Sequence, residues 1–272
     1  MSLLDRAVRT VNRLLSQNFG PLSTAAYHAA NAYAKSYNNL NYDMRTNGEY
    51  TLLDRLARFE TKTVFDVGAN KGEYANACLT RFRDAELHAF ELVPETYAKF
   101  VANVRSDRVV ANHFGLSDTP GSVEINVNPR KDGLSSLIEG TAINRGTWTK
   151  RSVEVVRGDD YCAERGIARI DFLKIDVEGA EHLVLEGFSR MLSEGRISVI
   201  QFEYGMINIY AKFLLLDFWR VLTGHGFVLG PIMPRGAAFR SYDPRDETFQ
   251  GPPNFVAVHA SRPEIIQAVR LR

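Results

Sequence analysis

Cysteine is scarce in this chain. The 272 residues include only Cys78 and Cys162, and neither belongs to a Cys-x-x-Cys pair or to a cysteine and histidine spacing typical of zinc sites. A disulfide-stabilised domain needs a dense set of cysteines, and a structural zinc ion needs four ligands in close pairs. We therefore predict two free thiols in a reducing environment, which favours a cytoplasmic protein.

Long apolar runs and a strong net charge are missing as well. No run of about 18 apolar residues is available to span a membrane, and the first residues do not follow the charged, apolar and small order of a signal peptide. The 33 basic and 32 acidic residues leave a formal net charge of +1. Because no stripe of aromatic and basic residues is present either, we expect neither a transmembrane segment nor a nucleic-acid partner.

Residues 1–46 are predicted to form a helical extension. Apolar residues recur at helical spacing over residues 3–15, and Arg6, Arg9 and Arg13 fall elsewhere around the same helix. Most amphipathic helices cover a core, so packing against the following domain, or against a second subunit of a homo-oligomer, is the favoured interpretation. Peripheral contact of residues 3–15 with an anionic membrane surface is the alternative.

Residues 47–262 alternate predicted strands with predicted helices, which indicates a mostly parallel sheet with helices on both faces. The predicted strands are 63–67, 86–91, 108–114, 123–127, 153–156, 170–176, 197–202, 227–229 and 254–259, and the predicted helices are 72–82, 95–104, 159–165, 180–192 and 214–222. Asp159 is expected to cap its helix. An insertion at about 119–150 and an irregular loop at about 231–253 interrupt the alternation, and residues 263–272 are predicted to be a C-terminal tail.

A turn rich in glycine follows the first strand of this domain. The strand ends in Asp66 and Val67, and Gly68, Asn70 and Gly72 then lead into a helix. Glycine has no Cβ atom, so the backbone can turn sharply and approach a ligand closely, while the following helix points unpaired N–H groups toward it. This pattern is typical of a site for a nucleotide-like cofactor.

The second predicted strand ends in an acidic residue, Glu91, at the place where βαβ units bind ribose hydroxyls. A dinucleotide site would need three glycines in the preceding turn, but Gly68, Asn70 and Glu73 occupy those positions. The glycine pattern for a pyrophosphate is therefore broken. A nicotinamide-dependent oxidoreductase stays an alternative, although the chain also has no Tyr-x-x-x-Lys pair.

Four ordered blocks carry a closer resemblance. They read F-D-V-G-A-N-K-G at 65–72, F-E-L-V-P at 90–94, G-L-S-D at 115–118 and D-F-L-K-I-D-V-E-G-A-E at 171–181. In this order and spacing they resemble the FkbM-type family of class I S-adenosylmethionine-dependent methyltransferases. The resemblance implies S-adenosylmethionine as the cofactor. It also implies methyl transfer to a hydroxyl group of a sugar, glycan, glycolipid or polyketide-like natural product.

The resembled family has a Rossmann-like, doubly wound α/β fold, which implies seven strands in the order 3-2-1-4-5-7-6 with the last strand antiparallel. Ligands of such sheets bind beyond the carboxyl ends of the strands. The residues expected to bind the cofactor are Asp66, Gly68, Asn70, Gly72, Glu91, Leu92, Gly115, Leu116, Ser117 and Asp176. Glu91 is expected to accept hydrogen bonds from both ribose hydroxyls. Asp66 has a functional interpretation, in which it orients the turn or meets the methionine ammonium group, directly or through water. In its structural interpretation it only caps the turn.

Methyl transfer to a hydroxyl depends mainly on holding its oxygen about 3 Å from the methyl carbon, and it gains from a base. Asp176 and Glu203, which end the fourth and fifth core strands, and His113 are the candidate catalytic residues. A histidine satisfied within the sheet is the favoured interpretation of His113, and Glu181 is interpreted as an acid that stabilises the start of a helix. Asp176 and Glu203 could hold Mg²⁺, but two carboxylates do not define a metal site, so metal dependence is not favoured.

A binding module without turnover is a further alternative, in which the fold persists as a scaffold for a partner. The intact set of Asp66, Gly68, Glu91 and Asp176 speaks against it. Such a module would bind no cofactor, or would bind it without transferring a methyl group. The favoured prediction is a cytoplasmic O-methyltransferase.

Overall fold

The computed structural model describes residues 2–15, 19–127, 135–136 and 148–272, so part of the predicted insertion lies outside the described residues. The helices are α1 (Leu3–Leu15), α2 (Pro21–Tyr37), α3 (Glu49–Leu56), α4 (Glu73–Arg81), α5 (Pro94–Asn103), α6 (Gly158–Glu164), α7 (Glu181–Gly187), α8 (Ser189–Ser193), α9 (Ile207–Ala211), α10 (Leu215–Gly224), α11 (Pro263–Val269) and a 3-10 helix at Pro244–Thr248. The strands are β1 (Thr63–Val67), β2 (Glu86–Phe90), β3 (Val109–Asn112), β4 (Gly115–Ser117), β5 (Gly121–Val127), β6 (Ser135–Ser136), β7 (Thr149–Arg157), β8 (Ile170–Ile175), β9 (Ile197–Glu203), β10 (Phe227–Met233), β11 (Gly236–Ala237) and β12 (Asn254–His259).

The main sheet has eight strands in the order β11-β10-β12-β9-β8-β1-β2-β3. The five strands from β9 to β3 in this order are parallel to one another, and β12 runs antiparallel to both β9 and β10. The chain leaves β1 toward β2 and β3 and later returns to β8 on the other side of β1, as in Rossmann-like sheets. The predicted count of seven strands is wrong, because the two-residue strand β11 adds an eighth at the edge beside β10.

Burial on both faces explains the composition of the central strands. The sequences I-D-F-L-K-I of β8 and I-S-V-I-Q-F-E of β9 contain eight apolar residues among thirteen, and all eight are buried. Parallel strands covered by helices on both sides read as nearly continuous apolar runs. Phe188 and Phe218 belong to the core on one face, and Tyr74 and Phe100 belong to the core on the other.

The region after β3 forms a second sheet in the order β4-β7-β5-β6. The strand predicted at 108–114 ends early, at Asn112, and the next strand, β4, pairs in parallel with β7. The antiparallel pair of β5 and β7 packs Ile125 and Val153 against Val93, which precedes α5. This small sheet therefore stands over the carboxyl edge of the main sheet.

The helix predicted at 180–192 is two helices, α7 and α8, which meet at the buried residue Phe188. Asp159 does not cap α6, whose N-cap residue is Arg157. Its carboxylate instead accepts the backbone N–H groups of Arg190 at 2.8 Å and Met191 at 3.0 Å, and it thereby holds the first turn of α8. The expected role of Asp159 is wrong, because α6 and α8 are separate in the sequence and become neighbours only in the folded chain.

Side-chain contacts order the loop predicted at 231–253. The segment begins inside β10 and includes β11 and the 3-10 helix. The carboxylate of Glu247 accepts hydrogen bonds from the hydroxyl groups of Tyr204 and Tyr242, and from the N–H of Leu216 at the start of α10. One acidic side chain thus ties this segment to the main sheet.

Residues outside the predicted domain limits contact the domain at both ends. The expected tail at 263–272 contains α11, whose Ile265 and Val269 are buried in the core. The boundary predicted at residue 46 falls within a segment that contacts the sheet, because Asn39 Nδ2 donates to the carbonyl oxygen of Ile232 at 3.2 Å. The domain therefore extends further in both directions than its predicted limits.

Helices α1 and α2 contribute little to the core. Helix α2 has no buried residue, and the large apolar side chains of α1 that the structure describes are exposed. The expectation that residues 3–15 cover the following domain is therefore wrong. None of the described helices combines the length and the apolar character that crossing a bilayer requires.

Candidate active site

A cavity of about 600 Å³ opens at the carboxyl ends of β1, β2, β8 and β9. This volume lies within the range of about 300–1,000 Å³ that small-molecule sites occupy. Most of the predicted cofactor residues line the cavity: Gly68, Asn70, Glu91, Leu92, Gly115, Leu116, Ser117 and Asp176, together with the catalytic candidate Glu203. Asp66, Gly72 and His113 are not among the lining residues.

The glycine turn depends on backbone geometry. Gly68 and Gly72 have φ values of +83° and +87°, and a Cβ atom on Gly68 would lie 1.8 Å from the carbonyl oxygen of Asp176. Gly68 therefore lets the end of β1 approach the end of β8 at the cavity. A Cβ atom on Gly72 would instead lie 2.1 Å from Val104 Cγ2. Gly72 therefore provides space for packing behind the turn, and its expected part in shaping the cofactor pocket stays a prediction.

We expect Gly68→Ala to lower the free energy of unfolding by about 3–4 kcal/mol. A left-handed conformation costs a residue with a Cβ atom about 1–2 kcal/mol, and here the new atom would also collide with a main-chain carbonyl. Gly166→Ala is the matched control, because Gly166 has φ +65° and nothing within 4 Å of an added Cβ atom. Urea unfolding measures both variants, and equal losses would contradict the close approach of β1 and β8.

Glu91 is held between the glycine turn and the start of α5. Its two carboxylate oxygens accept the backbone N–H groups of Asn70 at 3.0 Å and Val93 at 2.8 Å. Burial raises the pKa of Glu91 to about 7, although these two hydrogen bonds act in the opposite direction. Each oxygen keeps a further lone pair. Glu91 is therefore a fixed acceptor for two hydroxyl groups in the cavity.

A row of polar side chains crosses the centre of the main sheet. Asp66, Lys174 and Gln201 are register partners on β1, β8 and β9. Lys174 Nζ lies 3.7 Å from Asp66 Oδ1 and donates a hydrogen bond to Asp176 Oδ2 at 2.9 Å. Burial acts to lower the pKa of Lys174, but the charges of Asp176 and Asp66 outweigh it and raise the pKa. Lys174 is thus a buried cation between two carboxylates, one of which faces the cavity.

Sequence reasoning missed Lys174, although the chain contains a signal for it. A lone lysine inside the apolar strand F-L-K-I is costly to bury unless a carboxylate lies beside it. Asp66 is that partner, since it is fully buried and its oxygens accept no hydrogen bond from the described residues. Burial raises the pKa of Asp66. Asp66 thus lies beside Lys174, behind the residues that line the cavity, and its charge also acts on Glu91. Its expected part in cofactor binding stays a prediction.

Asp176 and Glu203 both line the cavity, and each affects the pKa of the other. Burial acts to raise the pKa of Asp176, but the charge of Lys174 and the hydrogen bonds from Glu203 and Lys174 bring it below its ordinary value. Burial and the charge of Asp176 raise the pKa of Glu203. These opposite shifts favour a proton on Glu203 and the ionised form of Asp176, which has 35 % of its side chain exposed.

Two further acids follow Asp176 in the chain. Glu181 lies in the first turn of α7, where it is buried and accepts the N–H groups of Val177 and Gly179, each at 3.1 Å, in the turn before the helix. Its interpretation as an acid that stabilises the helix start stays a prediction. Glu178 lines the cavity in a left-handed conformation with φ +54°. Burial raises the pKa of Glu178 to about 8 and that of Glu181 to about 7. This end of the cavity therefore holds its negative charge chiefly on Asp176.

A buried polar network supports the cavity from behind. Glu49 accepts hydrogen bonds from Asn47 Nδ2 at 2.6 Å and from Gln201 Nε2 at 2.7 Å. Tyr74 Oη donates to Gln201 Oε1 at 2.6 Å. Burial raises the pKa of Glu49. These contacts connect the start of α3 to the centre of the sheet beneath Asp176.

His113 lies outside the cavity, on the exposed side of the turn after β3. Its ring stacks on that of Tyr97, with 4.6 Å between the ring centroids and 19° between the planes. A base must come within hydrogen-bond reach of the proton that it removes. The candidate catalytic role of His113 is therefore wrong, and so is its interpretation as a histidine satisfied within the sheet.

The outer wall of the cavity comes from parts of the chain that sequence reasoning did not connect with the site. The second sheet supplies apolar side chains at Val123, Ile125 and Val155, and Tyr42 reaches the cavity from the segment before α3. Burial and the charges of Glu203 and Glu178 raise the pKa of the Tyr42 hydroxyl. Only the fold brings these elements to one opening.

Metal and thiol chemistry have little support in the described part of the chain. No group of three or more histidine, cysteine, aspartate or glutamate side chains is arranged there to hold a metal ion. Cys78 and Cys162 are buried free thiols, as predicted.

The fold and the cavity define a Rossmann-like domain of the kind that binds a nucleoside cofactor at the ends of its strands. The sequence model described as "Methyltransferase FkbM domain" matches residues 66–229, which is more than half of the chain. The chain belongs to the FkbM methyltransferase domain family, and the predicted resemblance is confirmed. The family match does not support the nicotinamide-dependent oxidoreductase alternative.

Characterised relatives align with part of the chain. The hexuronic acid methyltransferase AglP of Haloferax volcanii is 26% identical over 151 residues, covering 54% of this chain and 58% of the relative. The 31-O-demethyl-FK506 methyltransferase FkbM of Streptomyces tacrolimicus is 32% identical over 151 residues, covering 46% and 58%. The chain thus spans less than two thirds of these relatives. A crystal structure of methyltransferase FkbM from Methylobacillus flagellatus KT has a TM-score of 0.42 and 15% identity, and the match covers 74% of this chain and 44% of that chain.

Proposed function

We propose that this protein transfers a methyl group from S-adenosylmethionine to a hydroxyl group of a sugar, glycan, glycolipid or polyketide-like natural product. The observation that carries the proposal is the pair of Glu91 and Asp176 on one cavity, within a domain of the FkbM family. Glu91 offers a fixed acceptor for ribose hydroxyls, and Asp176 offers an ionised carboxylate where an acceptor hydroxyl would lie.

The residues present fit a nucleoside cofactor. Glu91 accepts from the ribose, Leu116 offers an apolar surface to the adenine, and the glycine turn bounds the methionyl part. Asn70 Oδ1 is buried at the turn and accepts no hydrogen bond from the described residues, so a donor such as an ammonium group would satisfy it. S-adenosylmethionine supplies a methyl group that is activated by its bond to a sulfonium.

Asp176 would orient the acceptor hydroxyl and receive its proton. A hydroxyl oxygen becomes strongly acidic as its bond to carbon forms, so a carboxylate with a low pKa suffices as the base. Lys174 donates a hydrogen bond to Asp176 and favours its ionised form, and Glu203 would donate a second one when protonated. With these two contacts Asp176 holds one orientation, and the remaining acceleration would come from positioning.

A glycan hydroxyl is the first choice of acceptor. One of the aligned relatives is named for a hexuronic acid, and another for an oxygen of FK506. The cavity fits such molecules because its wall combines apolar side chains of the second sheet with the hydroxyl group of Tyr42 and the carboxyl group of Glu178. Screening of hydroxyl acceptors with S-adenosylmethionine labelled in its methyl group would identify the substrate.

Calorimetric titration with S-adenosylhomocysteine and with NAD⁺ tests the cofactor. We expect micromolar binding of the first and none of the second, with a stabilisation of about 2.7 kcal/mol at a ligand concentration of 100 times the dissociation constant. Binding of NAD⁺ alone, or of neither ligand, would overturn the proposal. Binding of S-adenosylhomocysteine without methyl transfer to any hydroxyl acceptor would favour the binding module.

The affinity for S-adenosylhomocysteine should increase as the pH rises from 6 to 8. Glu91 has a pKa of about 7, so its ionised fraction grows from about one tenth to about nine tenths over this range. An ionised carboxylate is the stronger acceptor for ribose hydroxyls, and we expect the dissociation constant to fall by up to about tenfold. Titrations at pH 6, 7 and 8 measure this change.

Glu91→Gln is the control for this prediction. Its amide has nearly the same shape and does not titrate, so the variant should bind more weakly at pH 8 and lose most of the pH dependence. Glu178 and Glu181 also titrate in this range and are unchanged in the variant. The same slope in the variant and in the unmodified protein would assign the pH dependence to these residues and not to Glu91.

A further inference from the structure

Helix α1 presents a contiguous apolar surface to solvent. The exposed fractions are 85% for Leu3, 73% for Leu4 and 72% for Leu14, and Val8 and Val11 are about half exposed. Soluble monomers rarely keep an apolar stripe of this kind uncovered, and such a stripe marks a surface that binds a partner or a membrane.

The two halves of α1 differ in character. At 3.6 residues per turn, Leu4, Val8 and Val11 fall on one side of the helix. The three basic residues Arg6, Arg9 and Arg13 fall on the opposite side. A helix with an apolar half and an arginine-rich half is typical of segments that lie in the interface of a bilayer. Arginine side chains are long enough to keep their charge at the lipid headgroups while their stems lie along apolar surface.

Positive charge is concentrated in the part of the chain that contains α1. Residues 1–42 contain four basic residues and one acidic residue, whereas the remaining chain contains 29 basic and 31 acidic residues. The excess of positive charge therefore coincides with the exposed apolar surface. A dimer joined through the apolar halves of two copies of α1 would leave the arginine halves without a partner, whereas an anionic bilayer complements both halves.

Helix α2 adds aromatic side chains of the type found at bilayer interfaces. Tyr33 and Tyr37 lie one turn apart and are exposed, with 6.0 Å between their ring centroids. Tyrosine favours the headgroup region because it has an apolar ring and a polar hydroxyl.

The length of α1 argues for the same location. Its 13 residues are fewer than the roughly 20 that a transmembrane helix needs.

We propose that residues 3–15 bind in the plane of a membrane that contains anionic phospholipid. The apolar half enters the headgroup and acyl boundary, and Arg6, Arg9 and Arg13 contact lipid phosphates. The electrostatic part of this binding weakens as salt rises. The inference does not depend on methyl transfer, because it concerns a surface outside the cavity.

Sedimentation with vesicles tests the proposal on the full chain. We expect binding to vesicles of phosphatidylcholine with about one third phosphatidylglycerol, and binding more than about tenfold weaker to phosphatidylcholine alone. The variant R6E/R9E/R13E and the variant L4S/V8S/V11S should each lose more than about tenfold in affinity for the anionic vesicles. Equal affinity for both kinds of vesicle, or no binding to either, would overturn the proposal.

A matched control separates a local effect from a general effect of charge. The variant R83E/R105E/R220E reverses three arginines that are exposed on the main domain, and it should bind anionic vesicles nearly as well as the unmodified protein. A loss in this control as large as in R6E/R9E/R13E would contradict docking through α1. Light scattering adds an independent check, because conversion of a dimer to a monomer by L4S/V8S/V11S would identify the apolar half as a subunit interface and reject the membrane.

Binding of S-adenosylhomocysteine distinguishes this proposal from the proposed function. All three variants should keep an unchanged dissociation constant for this ligand, because none of the changed residues lines the cavity. Glu91→Gln should bind vesicles like the unmodified protein. Failure of vesicle binding would thus leave the methyl-transfer proposal intact, and failure of cofactor binding would leave the membrane proposal intact.

Discussion

Replacement of Asp176 by asparagine should lower kcat by about 10²- to 10⁴-fold, which is the range that a positioned acid or base contributes. The asparagine side chain has nearly the same shape, so it fills the place beside Lys174, but it cannot receive a proton from an acceptor hydroxyl. Affinity for S-adenosylhomocysteine should change by less than about tenfold, since Glu91 and the glycine turn are unaltered. Single-turnover methyl transfer from labelled S-adenosylmethionine measures the chemical step directly.

Glu203→Gln is the matched variant for this prediction. The raised pKa of Glu203 favours a proton on this residue, which would donate to Asp176, and a glutamine amide can still donate. We expect a loss of about tenfold or less. If Glu203→Gln instead lost far more activity than Asp176→Asn, the base would be Glu203. Full activity in both variants would remove the pair from the mechanism.

Replacement of Lys174 by methionine should lower the free energy of unfolding by about 3–5 kcal/mol, the range found when one partner of a buried ion pair is removed. Methionine is similar in length and apolar, so it leaves little empty space. The loss comes from Asp66, which is fully buried and would lose the cation that favours its ionised form. Urea unfolding with linear extrapolation measures the change.

A double-mutant cycle tests the physical reason for this loss. Asp66→Asn removes the buried carboxylate, so Asp66→Asn together with Lys174→Met should be more stable than Lys174→Met alone by at least about 1 kcal/mol. Asp176 needs no such compensation, because about a third of its side chain is exposed to the cavity. Additive losses in the cycle would show that Lys174 stabilises the sheet through packing and not through Asp66.

The sequence was a reliable guide where a local pattern has one physical solution. Central strands such as β8 and β9 are apolar runs because helices cover both of their faces. The glycine turn was recognisable because left-handed residues at Gly68 and Gly72 favour glycine. Glu91 was predicted as a binding residue from its place after the second strand. These features sufficed for the family, the Rossmann-like sheet and the location of the cavity.

Local patterns failed where the outcome depended on a distant neighbour. His113 was a candidate because it lies within the strand predicted at 108–114, just before Gly115, but the strand ends at Asn112 and the ring turns outward onto Tyr97. Asp159 is a residue type that favours helix caps, but it caps α8 and not the helix that follows it in the sequence. The last ten residues carry little periodicity, yet Ile265 and Val269 complete the core.

Residue types and their order thus established the class of fold and most of the cofactor cavity, because strand patterning and turn geometry are properties of neighbouring residues. The row of Asp66, Lys174 and Gln201 required the register of three strands that lie far apart in the chain. The pKa shifts of Asp176 and Glu203 depended likewise on burial and on neighbouring charges. Burial, register and electrostatic coupling are properties of the packed molecule, and so the tertiary structure alone revealed the opposite pKa shifts of these two acids and the exposed apolar side of α1.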